Sequence, residues 1–202
     1  MGLTLKYDKG QTPLDDDELE GLLIKSIITR GELDEFEQLN IEKAIEWTLK
    51  RKRNISEILT VDYIKLLHKK MYGDVWQWAG TFRKTNKNIG VDKFLIGIEL
   101  KKLLDDFKLI VENNVYAPGE IAIRFKHRLV SIHCFPNGNG RHSRLMADVI
   151  ITHVFGKEYF TWKMDDLNKN TDQRTEYIAA LRKSRRWKYS AFVEICTNIS
   201  LK

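Results

Sequence analysis

The stretch that begins at His133, HCFPNGNGRHSR, combines residue types that can bind an anion and move a proton. Glycines such as Gly138 and Gly140 let backbone N–H groups turn towards a ligand, and a helix beginning near Gly140 adds its positive end. Arg141 and Arg144 then lie in the first turn of that helix, where the dipole disfavours cations unless an anion sits nearby. His133, at the edge of this predicted cradle, carries a side chain that accepts protons near neutral pH.

Two other kinds of nucleotide-binding loop do not fit this stretch. A Walker A loop requires a Gly-Lys-Ser/Thr sequence after its first glycine, and none is present. A dinucleotide-binding fingerprint follows a strand, whereas residues 120–133 have apolar side chains at helical spacing. On the residue types alone, a solvent-exposed loop with an Asn helix cap remains an equally good interpretation.

The same stretch resembles the motif of the Fic family, His-x-Phe-x-(Asp/Glu)-Gly-Asn-Gly-Arg-x-x-Arg, and the likeness covers roughly residues 55–200. The strings ITRGEL, NKNIGVD and RLMAD further resemble a Fic subgroup called mobile mystery protein B. Seven motif positions match in register, namely His133, Phe135, Gly138, Asn139, Gly140, Arg141 and Arg144.

This resemblance implies an all-α fold, a Fic-type helical bundle with a small β-hairpin flap. It also implies transfer of AMP from ATP to a Ser, Thr or Tyr hydroxyl of a target protein. In that reaction His133 would be the general base, and Phe135 would be buried and hold the loop. The nucleotide would be bound by Gly138, Asn139, Gly140, Arg141 and Arg144, with the two arginines on the β- and γ-phosphates.

The chain departs from the family motif at two positions. Asn137 stands where Asp or Glu normally helps to hold Mg²⁺, and an amide oxygen brings no charge. We therefore assign Asn137 to the metal of Mg²⁺-ATP and expect weaker metal affinity. Cys134 replaces a frequent proline, which we interpret as a change in packing.

Residues 74–92 interrupt the helical rhythm and predict two short strands around Asn86-Lys87. A basic hairpin there is either a solvated turn or a flap that captures a target segment as an added strand. The resemblance favours the flap, for which we expect target contacts from Arg83, Lys84, Thr85, Asn86 and Lys87.

The remaining apolar spacing predicts helices that carry these segments. Thr60 is expected to cap one of them, and His68 on its apolar face is expected to be packed rather than to bind a ligand. Residues 1–54 are interpreted as an N-terminal helical extension and 55–202 as the catalytic domain. Further helices are predicted near 15–25, 31–51, 94–111, 120–133, from Gly140, 172–184 and 187–199.

The N-terminal extension carries a candidate inhibitory residue. Many Fic proteins resemble one another in a motif, Ser/Thr-x-x-x-Glu-Gly/Asn, whose Glu pairs with the second motif arginine and excludes the γ-phosphate. Glu20 fits that Glu, with Asp16 in place of Ser or Thr, and would pair with Arg144. A second frame beginning at Ser26 has Arg30 where Glu is needed, and an acidic, solvated helix start is the alternative to both.

Composition sets wider limits on the function. The chain has 202 residues, a formal net charge of +6 and two cysteines, which excludes a disulfide scaffold and favours a reducing compartment. No secretory signal or membrane span is visible, so we expect a soluble, cytoplasmic protein. A zinc site among the histidines near Cys134 lacks the required paired spacing.

Three functions remain to be distinguished. The first is ATP-dependent adenylyl transfer, and the second is a Doc-like kinase or another nucleotide or phosphate transfer on the same fold. The third is a non-catalytic basic helical module. The subgroup resemblance also implies a neighbouring DNA-binding, antitoxin-like partner, while direct binding of nucleic acid by this chain is not expected.

Overall fold

The structure, a computed structural model, describes residues 14–160 and 162. Over these residues the chain is helical, and no β-strand forms there apart from a bridge between Leu22 and Trp76. Residues 1–13 and the helices predicted at 172–184 and 187–199 lie outside the described residues. The α-helices are α1 (Asp16–Glu20), α2 (Arg30–Leu49), α3 (Ile55–Ile58), α4 (Val61–Tyr72), α5 (Ile96–Glu112), α6 (Pro118–Ile132) and α7 (Asn139–Val149).

Side-chain caps determine where several of these helices begin. The hydroxyl of Thr29 accepts from Glu32 N at the start of α2, and Thr60 does the same for Tyr63 N at the start of α4. The predicted cap at Thr60 is therefore confirmed. A short 3₁₀ turn (Lys93–Leu95) leads into α5, and a π-helical turn (Ile150–Val154) follows α7.

The core lies between α4, α5, α6 and α7, with α2 packed across α4. Leu67 and Met71 of α4 are fully buried, as is Met146 of α7. The rings of Phe107 on α5 and Phe125 on α6 meet edge-on with centroids 5.2 Å apart. These contacts hold the end of α6 and the start of α7 side by side, and the loop with the motif connects them.

The helix α1 is shorter than the predicted 15–25. Its backbone leaves the helix at Gly21, whose carbonyl accepts from Gln77 N at 2.8 Å. Gly21 also lies against Trp78, so close that a Cβ would fall 2.7 Å from Trp78 Cδ1. After α1 the chain therefore forms a single antiparallel bridge, from Leu22 to Trp76, instead of continuing as a helix.

The β-hairpin predicted for the flap is not found in this part of the chain, where residues 81–92 form an irregular loop. The backbone N–H groups that would begin a ladder bond elsewhere: Arg83 N donates to Cys134 O and Val91 N to Ile132 O. The guanidinium of Arg83 takes the carbonyls of Thr85 and Val91. The loop is thus held together by one side chain and by residues 132–134. We call residues 83–91 the flap loop.

Among the described residues, no helix is both long and apolar enough to cross a membrane.

Candidate active site

We call residues 133–138, which connect α6 to α7, the motif loop. The side chain of Asn139 closes this loop. Asn139 Oδ1 accepts from Phe135 N at 2.9 Å, and Asn139 Nδ2 donates to Phe135 O at 2.8 Å. Gly138 adopts a φ of 75°, and a Cβ there would fall 2.5 Å from Tyr72 Cζ. The loop backbone therefore lies directly on the Tyr72 ring, and only glycine fits at position 138.

Phe135 and His68 support this loop from below. Phe135 is fully buried, as expected, and its ring stacks on His68 with centroids 3.7 Å apart. His68 Nδ1 accepts from Gly80 N at 3.0 Å, so its Nε2 carries the hydrogen that it donates to Asn137 O at 3.1 Å. Burial holds the pKa of His68 well below its usual value. His68 is packed and neutral, as the sequence indicated, and it links the motif loop to the loop before the flap.

The first turn of α7 presents backbone donors with no partner. Within the described residues, no hydrogen bond engages the N–H groups of Asn139, Gly140 or Arg141. Gly140 is exposed, and nothing lies within 4 Å of the position that a Cβ would occupy. Open space in front of unpaired helical N–H groups is what an anion requires. The side chain of Asn139 is committed to the loop, so only its N–H is available to a phosphate.

Arg141 forms an ion pair with Glu37, a partner that the spacing of residues in the sequence did not predict. Glu37 Oε2 of α2 lies 2.6 Å from Arg141 Nη2, while Glu37 Oε1 accepts from Trp76 Nε1 at 2.7 Å. The Arg141 guanidinium also lies over the ring of Tyr72, 5.2 Å from its centre. Burial alone would lower the pKa of Arg141, but Tyr72 and Glu37 outweigh burial and raise it.

Arg144 lies one turn further along α7 and is half-buried. Its charge acts on Asp148, whose pKa is raised to about 6 by burial despite hydrogen bonds and this cation. Asp148 accepts from Phe160 N at 3.0 Å and from Trp162 Nε1 at 2.8 Å. The two arginines, three residues apart on α7, thus each have an acid nearby: the buried Glu37 for Arg141 and the half-buried Asp148 for Arg144.

His133 ends α6 in a left-handed conformation, with φ 58° and ψ 61°. The residue is 5% exposed, and neither ring nitrogen makes a hydrogen bond within the described residues. Burial, with the charge of Arg83 second, lowers its pKa from 6.5 to about 4; the Val130 carbonyl opposes this shift but makes no hydrogen bond of normal geometry. The imidazole is therefore neutral at physiological pH and able to accept a proton.

Residues 58–151 match the sequence model of the Fic/DOC family. Over these residues, which make up just under half of the chain, the sequence is similar to the Fic/DOC family. A curated relative, protein adenylyltransferase Fic of Nematostella vectensis, is 28% identical over 131 residues, which is 63% of this chain and 30% of that protein. The chain thus spans less than a third of this relative's length.

Solved structures of Fic proteins share the fold of this chain. BepC from Bartonella tribocorum with bound AMPPNP has a TM-score of 0.65 at 17% identity, over 95% of this chain and 94% of that one. Fic-1 from C. elegans has a TM-score of 0.64 at 21% identity, over 88% of this chain and 52% of that one. The all-α Fic fold predicted from the sequence is confirmed. The mobile mystery protein B subgroup and the division at residue 54 stay predictions.

Asn137 already uses one lone pair of its amide oxygen, which accepts from Gly138 N at 2.6 Å. No group of three His, Cys, Asp or Glu side chains within residues 14–160 and 162 could hold a metal ion. To the Mg²⁺ of Mg²⁺-ATP, Asn137 would offer one uncharged oxygen. Its assignment to the metal stays a prediction.

The flap residues differ in how far they are available to a target. Arg83 is only 3% exposed, which corrects its predicted role as a target-docking side chain. Lys84 is exposed. Thr85 and Lys87 are bound by α1 and its cap instead: Asp15 Oδ2 accepts from Thr85 Oγ1 at 2.6 Å and from Lys87 Nζ at 2.9 Å.

The same contact between α1 and the flap loop includes a second acid. Lys87 Nζ lies 2.6 Å from Glu18 Oε2, and the Lys87 side chain is 4% exposed. Asn86 accepts from Lys93 N and donates to Asp92 Oδ2, which fixes the end of the loop. In this structure α1 therefore occupies part of the surface that the sequence assigned to a target.

Glu20, the candidate inhibitory residue, lies at the last position of α1 and is exposed. Its backbone carbonyl accepts from Lys25 Nζ at 3.1 Å, and no ion pair of its carboxylate is found among the described residues. The contact with Arg144 that the sequence suggested is thus not formed here. Its inhibitory role stays a prediction.

The supporting roles of two residues of the candidate site were missed from the sequence. Glu37 lies on the face of α2 that also buries Leu33, Ile41 and Ala44. A charge within an apolar stripe must have a partner, and this was the available signal. For Arg83 no such signal exists, because a basic residue in a polar loop looks solvated.

Proposed function

We propose that this Fic domain transfers AMP from ATP to a Ser, Thr or Tyr hydroxyl of a target protein. The observation that carries the proposal is the neutral imidazole of His133, which is buried and has no hydrogen-bond partner among the described residues. It precedes a loop that leads into two arginines and into N–H groups with no acceptor in the described part of the chain. A neutral base beside a cradle for phosphates is the arrangement that hydroxyl attack on a nucleotide requires.

In the proposed reaction, His133 accepts the hydroxyl proton while the hydroxyl oxygen attacks the α-phosphorus of ATP. The new O–P bond forms as the bond from the α-phosphorus to its bridging oxygen breaks. Pyrophosphate leaves with the electron pair of that bond, and Arg141 and Arg144 compensate its charge together with the N–H groups of Asn139, Gly140 and Arg141. The proton is then returned from His133 to solvent or to pyrophosphate.

Binding would rest on residues that are already oriented. Glu37 fixes one edge of the Arg141 guanidinium and leaves its other N–H groups for phosphate. When bound with ATP, Mg²⁺ would supply further neutralisation of phosphate charge, with Asn137 as the protein oxygen beside it. ATP, Mg²⁺ and the target are thus the partners of this proposal.

We assign target docking to the exposed part of the flap loop, around Lys84, where a peptide would lie beside His133. The contacts of Thr85 and Lys87 with α1 must then be exchanged or retained when a target binds. An antitoxin-like DNA-binding partner rests on the subgroup resemblance alone.

Labelling with two forms of ATP tests the proposal. Purified protein is incubated with a lysate and with ATP labelled at the α-phosphate or at the γ-phosphate. Adenylyl transfer predicts label from the α-phosphate only. Label from the γ-phosphate alone would indicate a kinase, and no label from either would favour a binding module.

His133→Ala is the matching variant, because a general base contributes ~10²–10⁴-fold to rate. His127→Gln is its control, since His127 is another buried histidine of α6 whose pKa is also lowered to about 4 by burial. Label should fall by that factor in the first variant and persist in the second. Equal label from His133→Ala and the unmodified protein would refute His133 as the base.

A further inference from the structure

Arg83 connects the flap loop to the backbone of His133 and Cys134 through hydrogen bonds that the sequence did not predict. Its Nε donates to His133 O at 2.6 Å, and its backbone N donates to Cys134 O at 3.0 Å. On the other side, its guanidinium donates to Thr85 O at 2.8 Å and to Val91 O. One side chain thus holds both ends of the flap loop and the residue that is proposed to act as base.

The close packing of the same loop adds a second constraint on His133. Gly90 has a φ of 112°, and a Cβ there would fall 2.8 Å from His133 Cβ and 2.9 Å from Arg83 Nη2. Val91 N donates to Ile132 O at 3.2 Å, one residue before His133. The flap loop therefore touches the end of α6 on both sides of the Arg83 guanidinium.

Arg83 is unusual because it is a buried cation whose hydrogen bonds go to carbonyl and amide oxygens. No carboxylate of the described residues lies within ion-pair distance of it, and burial lowers its pKa, with Asp92 and Glu18 opposing from further away. Burying such a cation without a carboxylate costs stability, which indicates that Arg83 serves to position the groups that it binds.

We propose that Arg83 is a positioning residue, which sets the His133 backbone and the flap loop in one fixed arrangement for transfer. This rests on the proposed function, since it assigns Arg83 a part in that reaction. A base displaced by about 1 Å can lose ~10²-fold in rate, which is the effect expected when the guanidinium fork is lost. The charge of Arg83 has a separate effect, because a cation beside His133 favours the neutral imidazole.

Two substitutions separate geometry from charge. Arg83→Lys keeps the cation and loses the fork, so the transfer rate should fall ~10²-fold while ATP affinity and the acid limb of the pH–rate profile stay unchanged. Arg83→Gln also loses the cation, so its acid limb should move to higher pH. Arg128→Gln is the control, because Arg128 on α6 pairs with Asp106 and not with the flap loop.

NMR titration of the His133 ring protons gives a readout that needs no activity. Two cations act on this ring, Arg83 and Lys87, and the charge of Lys87 is neutralised by Asp15 and Glu18. The midpoint should rise in Arg83→Gln and remain in Arg83→Lys. A wild-type rate in Arg83→Lys overturns the proposal, and an unchanged midpoint in a folded Arg83→Gln overturns the separate effect of the Arg83 charge.

The outcomes also separate this proposal from adenylyl transfer itself. If the unmodified protein transfers no AMP, the proposed function fails, while the titration still tests the influence of Arg83. If the unmodified protein transfers AMP and loses it with His133→Ala, but Arg83→Lys is as fast as wild type, the Arg83 proposal alone fails.

Discussion

Replacing His133 with glutamine should make the stability of this protein less sensitive to acid. The imidazole is 5% exposed, and burial lowers its pKa from 6.5 to about 4. Between those values the unfolded chain binds a proton that the folded protein does not bind. The free energy of unfolding therefore falls as the pH decreases through 6.5 towards 4, and above 6.5 this contribution is absent.

The size of the effect follows from the two pKa values. At about pH 5 an unfolded histidine is almost fully protonated, whereas His133 in the folded protein is largely neutral. The shift is therefore expected to remove about 2 kcal/mol of stability between about pH 7.5 and about pH 5. His133→Gln should reduce the pH dependence of unfolding by that amount, even though the two proteins can differ in stability at neutral pH.

Urea denaturation at a series of pH values measures this difference. His127→Gln is the matched comparison, because burial lowers the pKa of His127 to about 4 as well. Both variants should flatten the pH dependence by a similar amount, but only the change at His133 should abolish transfer. Identical pH dependence in wild type and His133→Gln would show that the folded imidazole titrates normally, and the argument for a buried neutral base would fail.

Three further substitutions test other parts of the site. Asn137→Asp should tighten Mg²⁺-ATP in calorimetric titration because it adds a charged oxygen, and unchanged metal dependence would place Asn137 away from the metal. Arg144→Ala should weaken ATP much more than AMP, whereas equal losses would remove it from the γ-phosphate. Glu20→Gly should increase self-labelling if this carboxylate competes with phosphate for Arg144, and a folded variant with the wild-type rate would make α1 purely structural.

Features that depend on neighbouring residues could be predicted from the sequence. Thr60 caps α4 through its hydroxyl, and Phe135 is fully buried beneath the motif loop. The helix expected to begin near Gly140 begins at Asn139, after the glycine at 138 has turned the chain with a positive φ. Caps, glycine turns and apolar spacing act over a few residues, which is why they are legible in one sequence.

Features that depend on distant partners could not be predicted in the same way. No flap strands form, because the Arg83 guanidinium donates to carbonyls of the loop, while the carbonyls of Ile132 and Cys134 accept from N–H groups of the loop. His133 and Cys134 lie about 50 residues from Arg83 in the sequence. The interrupted helical spacing and the turn residues indicated a hairpin, but they carry no information on these competing hydrogen-bond partners. Likewise, Glu37 binds Arg141 across 104 positions of sequence.

The carboxylate of Glu37 changes the reason for expecting an anion in the cradle. From the sequence, two arginines in the first turn of a helix indicated a bound anion, because the dipole disfavours cations there. Glu37 gives Arg141 a counter-charge without any ligand, so this arginine no longer demands one. The case for phosphate rests more firmly on the N–H groups of Asn139, Gly140 and Arg141, which have no acceptor among the described residues. A nucleotide that binds them meets an Arg141 already oriented by Glu37, so less side-chain freedom is lost on binding.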